Sequence, residues 1–145
     1  MNHIGIDPGK SGGIALLNER GEAEFVAKMP DTERDLWDTI ASLKNWNDQP
    51  AKAIIERVHA MPGQGVTSMF TFGQGYGSIR MALIAAGIPF DEVTPQRWQK
   101  DTGCLTGGNK NISKAKAQQL FPSVKITHAT ADALIIAEWG RRGRA

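Results

Sequence analysis

A chain of 145 residues with 41% hydrophobic and 22% charged positions fits one globular domain, residues 1–145, around a single core, with no room for a second. Its single cysteine, Cys104, excludes an internal disulfide and a cysteine-rich zinc centre and fits a reducing compartment. The net charge of +2 hides an asymmetry, with 8 Lys/Arg against 12 Asp/Glu in residues 1–94 and 9 against 3 in residues 95–145, so the last third is the part suited to a polyanion.

The first residues enter an apolar run at once, and no run is long enough to span a membrane, so a cytoplasmic protein is expected. Ile4-Gly5-Ile6-Asp7 and Ile14-Ala15-Leu16-Leu17 flank Pro8-Gly9-Lys10-Ser11-Gly12-Gly13, which predicts a hairpin with Asp7 at the end of its first strand. Gly9, Gly12 and Gly13 are expected to let a bulky ligand approach the backbone. A turn Asp that only caps a hairpin is the plainer reading of Asp7. After a turn at 18–21, Ala23–Ala27 alternates as a third strand would, so three antiparallel strands open the chain. Asp31 is a good N-cap, and Leu36, Trp37, Ile40 and Leu43 predict a helix over about 32–45.

The apolar run 51–58 predicts a buried parallel strand carrying Glu56. In open α/β sheets ligands bind beyond the carboxyl ends of strands, so Asp7 and Glu56 are expected to converge on one cleft. A loop with His59 leads to a long helix over about 65–87. Its Gly73 and Gly77, each costing about 1 kcal/mol against alanine in a helix interior, predict close packing of that face on a sheet or a second helix. Residues 89–93 form a last strand, and Thr94-Pro95 opens a helix containing Trp98 and Lys100. Residues 102–112 read as a glycine-rich loop before a helix from Ser113 to Leu120. The loop is not a phosphate loop, because Asn109 stands where lysine is required and no strand precedes it. Thr127 caps a last helix bearing Asp132, followed by the basic tail Arg141-Arg142-Gly143-Arg144.

Carboxylates from strand one, strand four and the last helix repel one another unless a divalent cation neutralises them, and oxygen-only ligands favour Mg²⁺ or Mn²⁺ over zinc. Two such metals about 3.5–4 Å apart clamp the attacking and leaving oxygens of a phosphoryl displacement. The chain resembles RuvC-type Holliday junction resolvases of the RNase H-like superfamily. The residues that carry this likeness are Gly5-Ile6-Asp7-Pro8-Gly9, Ile54-Ile55-Glu56, Phe72-Gly73-Gln74-Gly75-Tyr76-Gly77, Val93–Lys100 and Asp132–Ala137. The five motifs fall in order along residues 4–140. The resemblance implies an α/β fold with a central mixed five-stranded sheet flanked by helices, its first three strands antiparallel. It also implies a Mg²⁺-dependent homodimer that nicks two opposed strands of a four-way DNA junction, with Asp7, Glu56 and Asp132 as metal ligands and Lys100 near the scissile phosphate.

One position departs from that pattern. Three residues before the last Asp the family has an acid or histidine, and here stands Ala129, with His128 beside it about 100° around the helix. A naturally weakened site, a site served by His128 through a shifted helix start, and an inactivating substitution all fit, the last being favoured because the rest of the site is intact. Candidate DNA contacts are His59, Phe70 or Phe72 as an aromatic at the junction centre, Lys110, Lys114 and Lys116 on phosphates, and Arg141 and Arg142. Two other classes compete: a non-catalytic branched-DNA binder, which Ala129 favours, and a fragment of an actin- or sugar-kinase-like ATPase, which would need a second repeat.

Overall fold

The computed structural model describes residues 1–58 and 63–143. The elements in order are β1 (Asn2–Asp7), β2 (Gly13–Leu17), β3 (Ala23–Lys28), α1 (Glu33–Leu43), β4 (Ala51–Glu56), α2 (Val66–Ala86), β5 (Phe90–Val93), α3 (Pro95–Asp101), α4 (Lys110–Leu120) and α5 (His128–Arg141). One five-stranded sheet runs β3-β2-β1-β4-β5. The first three strands are antiparallel, while β4 and β5 join in parallel, as the sequence led us to expect.

The period of two along each strand decides which side chain meets which helix layer. Ile4, Ile6, Ile14, Leu16, Ala53 and Ile55 face one way and bury against Leu36, Ile40 and Leu43 of α1 and Ile79, Leu83 and Ala86 of α2. The alternate residues Ala15, Leu17, Ile54 and Val93 face the other way, onto α5, α3 and α4 through Ala133, Leu134, Ala137, Trp98 and Ala117. By that parity Gly5 and Asp7 of β1 and Glu56 of β4 belong to the α5 face.

α5 can lie directly on β1 and β2 because Gly5 and Gly13 have no side chain. A Cβ on Gly5 would collide with the α5 backbone at Ala133 and Ala137, and one on Gly13 with the Ala129 carbonyl. The hairpin glycines therefore differ from expectation. Gly13 makes room for a helix rather than a ligand, and Gly12 lies so close to the Asp7 carbonyl that a side chain would not fit. Gly9, at φ +100°, does have an aromatic over it, the Phe72 ring of α2.

Element ends shift for local reasons. Thr32, not Asp31, caps α1, its hydroxyl accepting from the Asp35 amide. Thr94 caps α3 in the same way, with Pro95 in the first turn. α4 begins at Lys110, before the expected Ser113, because the Asn109 side chain accepts from the Asn111 amide and caps the helix there. Thr127 and Thr130 form a reciprocal cap for α5, which also absorbs Arg141 of the expected basic tail. Gly73 and Gly77 do not pack on a sheet or a second helix: a Cβ on either would meet nothing within 4 Å among the described residues. Among the described residues no helix is long and apolar enough to cross a membrane.

Candidate metal centre and nucleic-acid interface

Asp7 ends β1, and Glu56 ends the parallel neighbour β4, one step beyond the Ile6–Ile55 pairing. Strand parity turns both toward α5, whose close seat on Gly5 and Gly13 brings Asp132 into the same space. Asp7 and Glu56 are buried at 8% and 9% exposure, and Asp132 is half-buried. The three carboxylates feel one another. Burial, then Glu56, then Asp132 push the Asp7 carboxyl up to about 8. Burial likewise raises Glu56, partly offset by a hydrogen bond from Trp98, and raises Asp132, partly offset by the nearby Ser113 hydroxyl and Lys110.

A positive charge therefore belongs here. The Asp132 Oδ1 atom is buried without a hydrogen-bond partner among the described residues. A divalent cation would neutralise the mutual repulsion and satisfy that oxygen, and an all-carboxylate donor set suits Mg²⁺ or Mn²⁺. Among the described residues no three His, Cys, Asp or Glu side chains are drawn together tightly enough to enclose an ion as they stand, so the site is an open array rather than a closed cage.

The cation facing this array from the protein is Lys110, at the start of α4, whose charge is felt by Asp7, Glu56 and Asp132 alike. Lys100 is exposed on α3. Lys114 and Lys116 are half-buried on α4. His128 opens α5 and pairs through Nε2 with Asn111 Oδ1 at 3.0 Å, which ties the first turns of α4 and α5 together. Ala129 follows it, with its carbonyl against Gly13, the cross-strand partner of Asp7.

Phe72 is half-buried, stacked on Tyr76 with ring centroids 6.5 Å apart, whereas Phe70 is 68% exposed. Arg141 and Arg142 sit at the far end of α5 and are held by Glu138 at 2.7 and 2.9 Å. The structure therefore does not bring these two with the carboxylates. His59 lies outside the described residues. Sequence reasoning missed Trp98, whose buried indole N–H donates to Glu56 Oε2 at 2.7 Å, and Ser113. The available signal was the Thr94-Pro95 helix start just after the strand beside β4, which places the next turn over Glu56.

Sheet order, strand polarity and flanking helices define an RNase H-like α/β fold. More narrowly, the fold is of RuvC type. The chain is similar to Thermus thermophilus RuvC in complex with Holliday junction substrate, with a TM-score of 0.71 and 16% identity over 99% of this chain and 97% of that one. It is similar also to a second Thermus thermophilus RuvC structure, with a TM-score of 0.68 and 18% identity over the same shares. No protein-family model matches the sequence, and a search of curated proteins finds no match.

Proposed function

We propose that this chain is a structure-selective endonuclease that, as a homodimer, binds four-way DNA junctions and hydrolyses phosphodiesters with Mg²⁺ or Mn²⁺. The observation that carries the reading is the trio Asp7, Glu56 and Asp132, each raised chiefly by burial and with Asp7 and Glu56 raised further by their companions, on a RuvC-type fold. These residues would hold the metal, which when bound supplies an activated water and charge neutralisation at the phosphate. Lys110 faces the same space and is suited to a phosphate oxygen, while Lys100, Lys114 and Lys116 extend the basic surface beside it. The homodimer is supported by an uncovered apolar face on α2, where Val66 is 86% exposed, Phe70 68%, Met81 59% and Ile84 58%. The two-fold symmetry of such a dimer matches a pseudo-two-fold junction.

The test is Mg²⁺-dependent nicking of a synthetic four-way junction by the chain and by Ala129→Asp, each with and without Asp7→Asn. Metal-dependent nicks that vanish with Asp7→Asn support the reading. Ala129 favours a second one, a binder of branched DNA that does not cut, and tight junction binding with no cleavage even in Ala129→Asp decides for it.

A further inference from the structure

Glu56 takes its hydrogen bond from a buried aromatic on a neighbouring helix. Trp98 is fully buried, and its Nε1–H reaches Glu56 Oε2 at 2.7 Å. A buried indole N–H is costly to leave unpaired, and a hydrogen bond to an ionised acceptor is about twice as strong as a neutral one. The bond restrains the rotation of the Glu56 carboxylate and takes up one lone pair of Oε2, leaving its other lone-pair sites for a cation.

α3, which carries Trp98, is itself pinned. Its Asp101 Oδ2 accepts from Trp139 Nε1 of α5 at 2.8 Å, and Arg97 lies over the Trp139 ring at 5.6 Å. Trp139 and Asp132 share one helix, so two indoles link Glu56 on β4 to the element carrying Asp132. Asp132 has the Ser113 hydroxyl beside it, and its buried Oδ1 has no partner among the described residues.

We infer that Trp98 is a positioning residue for the metal centre: it pre-orients Glu56 as the fixed ligand, to which Asp7 and Asp132 adjust when a cation enters. This rests on the proposed metal-dependent reading. The bond uses one lone pair of the carboxylate and biases the ligand's direction before the cation arrives. Removal of such an outer partner typically weakens metal binding 10–100-fold.

The test is a calorimetric titration of Mn²⁺ into the unaltered chain, Trp98→Phe and Asp7→Asn, with circular dichroism to verify folding. The inference predicts Mn²⁺ binding weakened about 10–100-fold in folded Trp98→Phe and lost in Asp7→Asn. Unchanged affinity in Trp98→Phe with loss in Asp7→Asn overturns the inference and leaves the metal site standing. No binding by the unaltered chain, or full binding by Asp7→Asn, overturns both. Should Trp98→Phe not fold, the unaltered chain answers through its ¹⁵N-labelled indole resonances. The inference requires one indole cross-peak that moves in Glu56→Gln and that Mg²⁺ displaces more than the other three; absence of such a peak overturns it.

Discussion

The two long helices on opposite faces of the sheet use glycine in opposite ways. Under α5, Gly5 and Gly13 are spaces already filled by helix backbone, whereas on α2 the Gly73 and Gly77 faces open onto nothing among the described residues. α5 is buried along most of its length, from Thr130 through Trp139 except for the half-buried Asp132. α2 is buried at Ile79, Ala82, Leu83 and Ala86 in its C-terminal half, with the half-buried Tyr76 packed against the same core. Beside its glycine face runs an open groove of about 1260 Å³ lined by α1, α2 and the Gly9–Lys10 loop. The difference separates a helix whose packing gathers the three carboxylates on one face of the sheet from a helix that keeps an apolar face exposed.

The largest effect that would sharpen this contrast is on folding. Gly5→Val should destabilise the chain by more than about 3 kcal/mol or prevent folding, since its side chain must displace the α5 backbone. A thermal melt within a few degrees of the unaltered chain would mean that α5 yields more easily than its packing implies.

Next in size is a pH effect on the metal-free chain. Folded Asp7 titrates near 8 against an ordinary value of 3.8, so between about pH 4 and 8 the folded state binds a proton that the unfolded state has released. The stability from this group is therefore fully present below about pH 4 and is lost as pH rises through about 8. Denaturant midpoints should fall over that window, Asp7→Asn should flatten the fall, and Mg²⁺ at pH 8 should reverse it. A rise in midpoint across the window in metal-free buffer would contradict the buried trio.

On the α2 face, Gly77→Leu should leave the fold intact, because the site is open within the chain, while reducing a dimer to monomers in sedimentation. Loss of folding would show that this face is not free. Smaller still, charge reversal at Lys114 and Lys116 should weaken junction binding and flatten its dependence on salt, since fewer counterions are released. An unchanged slope would remove α4 from the DNA interface.

Much of the fold was readable because turns and caps are local. The hairpin at Pro8–Gly13, the Thr94-Pro95 start and the Thr127 cap are written in adjacent residues. The facing of Asp7 and Glu56 was not, because β1 and β4 are buried on both sides and read as continuous apolar runs whose parity cannot be assigned to a layer. The start of α4 was hidden because Gly107-Gly108-Asn109-Lys110-Asn111 reads as loop until the Asn109 cap is seen. The roles of Gly5 and Gly13 depend on a helix more than a hundred residues away. The Trp98–Glu56 bond spans 42 residues; the Thr94-Pro95 helix start puts a turn near Glu56, but nothing local says which side chain of that turn meets it.

The central claim, that Asp7, Glu56 and Asp132 form a metal-dependent nuclease centre weakened by Ala129, is tested most directly by junction cleavage in Ala129→Asp. Ala129 and Asp132 lie three apart on α5, so an Asp at 129 shares that side of the helix. Added there, it would give the proposed metal centre a fourth carboxylate. The account predicts near-background cutting by the unaltered chain, Mg²⁺-dependent cutting restored in Ala129→Asp, and none in the double variant with Asp7→Asn. A folded, junction-binding Ala129→Asp with no gain in Mg²⁺-dependent cutting would contradict it.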